Sequence, residues 1–391
     1  MFALPALFYG IGAIVLFASG KWSFLRIPPM GSLFEDLQSL TATVNCANVI
    51  ERWDLKSESC DPFDRPFNYP TIWVSIFQKL HLGFERTNLI GFVFAFLIFL
   101  CLIFWGYFAQ LNVKKLGDVA ILTLLSVSSP MFLLVERANI DILIFFGLTM
   151  ASLLLIKFGS KSAVILISTL AFLKIYPLGG FMLFLSKRTN NKTIYICSLT
   201  LVILFAVHFQ DLLLIRDRTP FTVNYSFGIG VIPQHFSNFF GLEFSRNQST
   251  FIGMVLSVFA TILLLTLCQK SIYHQNNLSN FWIDLSKKEH SRDIFLIFSG
   301  IYITCFSLGT NFDYRLVFLI PLATTIIRME SKAPLSKLLL IMITVGILTS
   351  LLPGLFAVFS DLFLELIAIL ICVLLLKFAL SEKMTLKSFR P

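Results

Sequence analysis

The sequence is poor in charge. Of 391 residues only 14% are Asp, Glu, Lys or Arg, against 57% hydrophobic. A soluble domain carries about 25% charged residues, so a water-soluble fold is excluded. The chain lacks His/Cys spacings of metal-ligand type, any Gly-x-Ser-x-Gly element and any Walker-type phosphate loop. Cofactor-dependent, serine-hydrolase and nucleotide-hydrolysing chemistries therefore have no support. No cofactor and no metal ligand set is expected, with a divalent cation left as an unsupported option. Low-complexity tracts and repeats at the usual periods are also missing. The first apolar segment, residues 2–19, lacks a basic n-region and a small-residue cleavage site, and is read as a retained helix.

What the chain does have is repeated apolar runs, with a mean hydropathy of +0.83. Lipid offers no partners to backbone groups, so long apolar runs in a membrane are helical. The runs do not alternate in period two, which excludes a β-barrel. The expected fold is an all-α, polytopic membrane protein with roughly 10–12 transmembrane helices in one domain. The net charge of +9 is read as loop lysines and arginines that orient helices, not as a nucleic-acid surface.

Residues 20–87 are the one long stretch without a spanning run. Lys114 and Lys115 follow the next apolar segment, 88–108, and mark a cytoplasmic turn. Loop 20–87 is thereby placed outside, with further outer loops at 136–141, 210–250 and 309–315. Basic loops around Lys157, Lys187–Lys192, 269–293 and Lys332 fall inside. Segment 163–186 is long enough to cross, yet both ends look cytoplasmic. Lys174-Ile175-Tyr176-Pro177 and Gly179-Gly180 lie in its middle. Proline disfavours helix at the residue before it and glycine permits a tight turn. A bent, re-entrant-type helix pair is predicted over 163–186. Residues 70–80 are predicted to form an interfacial helix with aromatics at headgroup level.

Cys46 and Cys60 share the long loop, and a disulfide or two free thiols are both open. The other five cysteines lie in apolar runs and read as small core residues.

The distinctive polar clusters all fall on the outer side. They are Glu35/Asp36, Arg65–Tyr69 with Asn68, Glu136–Asp141, and Asn311–Arg315, approached from below by Lys174 and Tyr176. Carriers tend to place polar groups at the midplane in paired repeats, so one-sided chemistry favours an enzyme. Arginine and lysine suit a phosphate, a carboxylate suits a general base and aromatics suit sugar rings. Activated donors outside the cytoplasm are lipid-linked phosphates. The bland alternatives are helix capping by Asp36, Asn139 and Asp141, snorkelling of Arg137, a structural ion pair for Lys174, and an Arg315–Asp313 bridge. A lipid-sugar flippase and a polysaccharide polymerase are the rival functions.

Four stretches carry a family resemblance: Phe34-Glu35-Asp36, Arg137-Ala138-Asn139-Ile140-Asp141, Leu173-Lys174-Ile175-Tyr176-Pro177 and Asp313-Tyr314-Arg315. In order and spacing they resemble integral-membrane glycosyltransferases of the GT-C superfamily, especially bacterial mannosyltransferase-like members. Ala138 stands where many members have glycine, and a second-loop Asp-Asp pair of some relatives is missing. The resemblance implies inverting transfer of a mannose-like hexose from a polyprenyl-phosphate donor to a glycan or glycolipid acceptor. It implies a multi-pass protein of the cytoplasmic (inner) membrane, with its site on the extracytoplasmic face. Asp36 best matches the catalytic base, with Glu35 as the alternative. Arg65, Asn68, Tyr69, Glu136, Arg137, Asn139, Asp141, Lys174, Tyr176, Asp313, Tyr314 and Arg315 are the expected substrate-binding residues.

Overall fold

A computed structural model describes residues 1–27, 32–49, 60–110, 116–186, 191–219, 225–270, 272–288, 290–308, 311–329, 333–352 and 355–387. Lys114, Lys115, Lys187, Arg188 and Lys332, which carry part of the orientation argument, lie outside these residues.

The protein is an all-α polytopic membrane protein. Among the described residues, five helices are long and apolar enough to cross a bilayer: Phe84–Phe108, Leu116–Arg137, Asp141–Phe158, Arg246–Cys268 and Phe356–Leu380. Five shorter apolar helices accompany them among the same residues. In chain order the first elements are α1 (Leu4–Ser19), α2 (Glu35–Val49), α3 (Thr71–Lys79) and α4 (Thr87–Phe108). Next come α5 (Leu116–Ser126), α6 (Ser129–Arg137), α7 (Asp141–Phe158) and α8 (Ser160–Leu173). Then follow α9 (Asn191–Arg218), α10 (Val231–Phe240), α11 (Arg246–Lys270) and α12 (Ile272–Lys287). The chain closes with α13 (Ser291–Ser307), α14 (Leu319–Ile327), α15 (Pro334–Thr349) and α16 (Leu355–Lys387). The only extended pairing among the described residues joins β1 (Ser226–Phe227) antiparallel to β2 (Asn311–Phe312).

The core sits around α13, which is buried on nearly every side. Such a helix is apolar all round because protein, not lipid, surrounds it. Segment 163–186 packs against it. As predicted, the segment is bent: α8 ends at Leu173, Lys174 is extended (φ −154°, ψ 145°), and a 3₁₀ segment continues over Tyr176–Leu185. The sequence reading of its glycines needs correction. Gly179 and Gly180 lie inside the 3₁₀ segment, not in the turn. Gly179 abuts Gly300 of α13 so closely that a Cβ on Gly300 would lie 1.9 Å from the Gly179 carbonyl oxygen. Small residues serve here to let two backbones meet, as at membrane helix interfaces generally. The far end of the bend is tied down by Ser186 Oγ, which donates to Asp293 Oδ1 at 2.8 Å. The hairpin therefore runs up to Lys174 and back along α13.

Polar side chains join the helices through backbone carbonyls. Tyr9 of α1 donates to Ala95 O of α4 at 3.0 Å, and Tyr302 of α13 to Leu364 O of α16 at 2.8 Å. In apolar surroundings such donors are costly unless satisfied.

Three loop readings are corrected. Loop 20–87 contains α2 and α3. Much of 210–250 is helical, because α9 runs on to Arg218 and α10 and the start of α11 fall within it. Residues 269–293 hold α12. The helix at 70–80 exists as α3, but Trp73 and Phe77 face protein instead of headgroups. The Trp73 indole donates to Leu173 O at 3.0 Å, docking α3 on the end of α8. An indole N–H with a carbonyl in reach gains more from that bond than from the interface.

Cys46 and Cys60 form a disulfide across 14 residues, with Cα atoms 6.2 Å apart. The bridge ties α2 to the stretch that starts at Asp61. Closing a loop of this length stabilises by about 3 kcal/mol in the chain-entropy account. A Cys46→Ser/Cys60→Ser variant is expected to lose about that much, read as a lowered unfolding temperature in detergent. An unchanged unfolding temperature would mean that the bridge contributes nothing.

Candidate functional site

Three loop-to-helix junctions meet at one end of the bundle. The first is the start of α2. Phe34 N–H donates to Glu136 O at 2.8 Å, which fixes the α2 N-terminus against the end of α6. Glu35 and Asp36 occupy the first turn of α2, where the helix dipole favours negative charge. One turn-start thus carries two carboxylates that point different ways.

Glu35 points inward. Its carboxylate oxygens meet Arg65 Nη1 at 3.0 Å and Arg137 Nη1 at 3.1 Å, and its side chain is 5% exposed. Burial raises its carboxyl above the usual range, against the pull of Arg65 and Arg137. Asp36 points toward a cavity, with its side chain 17% exposed. Its Oδ2 accepts from Asn139 Nδ2 at 2.7 Å, and Arg65 Nη1 lies 3.4 Å from Oδ1.

The second junction is the α6–α7 turn. Ala138 adopts the left-handed conformation (φ 45°, ψ 44°). Side chains other than glycine are disfavoured there by roughly 1–2 kcal/mol. Replacing Ala138 by Gly is expected to raise stability by about 1 kcal/mol in chemical denaturation, and destabilisation would contradict this. Asn139 does two jobs. Its Oδ1 accepts from Asp141 N–H at 3.0 Å, capping α7. Its Nδ2 has Asp36, the Tyr69 hydroxyl (3.1 Å) and the Tyr314 hydroxyl (3.0 Å) in reach. Capping and site roles are thus not alternatives at this residue.

The third junction is built on Asp141, which is fully buried. Its Oδ1 takes the Lys174 ammonium and the Tyr176 hydroxyl, the latter at 2.8 Å. Its Oδ2 takes Arg315 Nε at 2.8 Å. Arg315 also donates to Asn311 Oδ1 and lies 5.4 Å from the Tyr176 ring centroid. A carboxylate this deep is tolerated only because its lone pairs are satisfied. Two cations on one carboxylate leave this node positive. The bent hairpin exists to bring Lys174 here, and the β1–β2 pairing holds the Arg315 segment beside it.

These residues surround a cavity of about 740 Å³, within the usual range of ligand sites. Asp36, Arg65, Asn68, Tyr69, Arg137, Asn139, Lys174, Tyr176, Tyr314 and Arg315 all line it. Burial keeps Tyr69 and Tyr314 as neutral phenols, their pKa pushed far up. Seven cationic side chains line the space against two carboxylates, Asp36 and Asp61, so its chemistry suits an anion.

Four expected site residues do not line it. Glu35 is an internal bridge. Glu136 is buried behind Arg137, with Arg137 Nε 3.1 Å from its Oε2. Asp141 is enclosed by its partners. Asp313 is buried and faces away, its backbone N–H bonded to Tyr225 O at 2.9 Å. One Asp313 carboxylate oxygen has no hydrogen-bond partner among the described residues. The Arg315–Asp313 bridge gives way to Arg315–Asp141. Arg137 is buried in the Glu35 network and does not snorkel.

Asp61 was not singled out as a site residue. It accepts from Arg65 Nε at 2.8 Å and from Ser39 Oγ at 2.9 Å, and so aims Arg65 at Asp36. Its signal was adjacency to Cys60, visible only once the disulfide is known. Arg246 was also missed. No group of three or more His, Cys, Asp or Glu among the described residues could hold a metal ion.

No family model, curated protein or solved structure matches this chain.

Proposed function

We propose that this chain is a membrane glycosyltransferase of GT-C type. It transfers a hexose from a polyprenyl-phosphate donor to a glycan or glycolipid acceptor at the extracytoplasmic face, with ten or more helices in the membrane. The observation that carries the reading is the division of labour between adjacent carboxylates. Glu35 is locked into two arginines, while Asp36 is oriented by Asn139 and open to a cationic cavity. A general base needs that combination of fixed geometry and access.

In this reading the acceptor hydroxyl lies against Asp36, which takes its proton as the oxygen attacks the anomeric carbon. The bond from that carbon to the phosphate oxygen breaks on the opposite face. Its electron pair leaves with the lipid phosphate, whose charge the cationic walls stabilise. Tyr69, Tyr176 and Tyr314 offer ring faces and hydroxyls to a sugar. Two further observations support the reading. The Cys46–Cys60 bridge suits an oxidising compartment, and hence an outer position for α2. Lys174 and Arg315, held by Asp141, line one cavity with Asp36, as a single catalytic site requires.

The test is a donor panel. Purified protein is incubated with polyprenyl-phosphate hexoses and, separately, with nucleotide sugars plus a crude glycan acceptor. Consumption of a lipid-linked donor is expected. Consumption of nucleotide sugars alone would refute the proposal.

A further inference from the structure

A short helix at the cavity end of the bundle leaves an aromatic face uncovered. α10 follows β1, which pairs with β2 at Asn311 and Phe312 of the cavity wall. It precedes α11, whose first residue, Arg246, also lines the cavity. Phe236, Phe239 and Phe240 stand at i, i+3 and i+4 of α10 and share one face. Their rings cluster, with centroids 5.1 Å apart for Phe239 and Phe240 and 6.4 Å apart for Phe236 and Phe240. All three are exposed, Phe239 by 79%, and none lines the cavity. Asn238, also exposed, is two residues from Phe236 and from Phe240, and so stands nearly opposite them on the helix.

The helix is firmly held. His235 Nε2 lies 2.7 Å from Asp361 Oδ2 of α16. Gln234 Oε1 accepts from Ser249 Oγ of α11 at 2.8 Å. Ser237 Oγ accepts from Phe244 N–H at 3.1 Å, closing the turn into α11. Ahead of α10, the Ile229 carbonyl packs so tightly on Gly253 of α11 that no Cβ would fit there. The uncovered face is therefore fixed against α11 and α16, both of which are long and apolar enough to span. Their residues near this end include exposed apolar side chains, Phe251 and Met254 of α11 and Phe356 and Phe359 of α16. Only 6% of the α11 span is buried within the protein, which leaves lipid as its neighbour. The phenylalanines of α10 continue that surface past the end of the span, as an aromatic belt does at a membrane boundary. α10 carries no Lys, Arg, Asp or Glu, so no charge opposes insertion and none calls for an anionic lipid.

We propose that α10 lies in the membrane boundary, with Phe236, Phe239 and Phe240 set among the lipid acyl chains and Asn238 toward water. The partner is the lipid surface itself, continuous with the lipid face of α11. The seat reaches the cavity through the backbone. Ile229 N–H donates to Phe306 O and Asp313 N–H to Tyr225 O, each at 2.9 Å, and Tyr225 lines the cavity. α10 thereby fixes the position of this cavity wall relative to the bilayer surface, whatever reaction the site performs.

The experiment uses the full chain in phosphatidylcholine nanodiscs. A photoreactive benzophenone amino acid replaces Phe240 in one protein and Asn238 in another, and adducts are identified by mass. Phospholipid adducts are expected at 240 and not at 238. Amide hydrogen exchange over residues 225–230 is the second readout. Phe236→Ser/Phe239→Ser/Phe240→Ser is expected to lose protection there while α13 keeps its own. Phe236→Leu/Phe239→Leu/Phe240→Leu, which stays apolar, is expected to exchange like wild type. Four results would overturn the lipid seat: no phospholipid adduct at 240, equal labelling at 238, adducts only when phosphatidylglycerol is added, or crosslinks from 240 to a second copy of the chain. Exchange at 225–230 that is unchanged in the serine variant, or that rises equally in α13, would overturn the link to the cavity wall.

Discussion

An Asp36→Asn variant is expected to insert and fold like wild type, yet transfer sugar about 10²–10⁴-fold more slowly. Asparagine is nearly isosteric with aspartate, so the α2 turn and the Phe34–Glu136 bond need not change. The Asn139 Nδ2 donor can still meet an amide oxygen in place of Asp36 Oδ2. What is lost is the lone-pair basicity at Oδ1, the atom near Arg65. Wild-type unfolding temperature together with a collapsed kcat would mark a chemical role. Equal losses in kcat and in stability would mark a structural one. The same change at Glu35 is expected to act differently. Glu35→Gln weakens two buried bridges to Arg65 and Arg137, so stability should fall before chemistry does.

The largest stability effect is expected at Asp141. Replacing it by alanine leaves Lys174 and Arg315 as two part-buried cations without the carboxylate that pairs them. Removing one partner of a buried ion pair costs about 3–5 kcal/mol, and here one carboxylate serves two cations. Asp141→Ala is therefore expected to lose at least that much, seen as poor yield and a lower unfolding temperature. Asp141→Asn retains a hydrogen-bond acceptor and should fall in between. An Asp141→Ala protein as stable as wild type would show that the hairpin tip is held by packing alone. Because Asp141 is enclosed and Asp36 is open, the two variants separate scaffold from chemistry within one site.

The parts that were legible in the sequence share a physical basis. Apolar runs must be helical in lipid, so the membrane class followed from composition. A bend near Lys174–Pro177 was legible from the proline and glycines there and from basic residues at both ends of 163–186. The polar clusters were visible because charge is scarce elsewhere. What was not legible is how the clusters pair. Asp141 and Arg315 are 174 positions apart, and local pattern carries no information about which carboxylate meets which cation. Glu35 and Asp36 are neighbours of similar chemistry, and only the α2 helix turns one inward and the other to the cavity. Asp61 escaped notice because its role depends on a disulfide that spacing left open. The glycines at 179 and 180 were misread because a turn and a close helix crossing ask for the same small residue. The loops at 210–250 and 269–293 were misread because polar helices on a membrane protein lack the apolar period that marks a span.

Asp36 is proposed as the base for transfer from a lipid-linked donor. Its most direct test is a time course of labelled polyprenyl-phosphate hexose with acceptor, run with wild-type protein and with Asp36→Asn. Release of polyprenyl phosphate and of a labelled glycan is expected with wild type, and neither with the variant at matched folded protein. Equal turnover by the two proteins, or no turnover by wild type with any lipid-linked hexose, would contradict it.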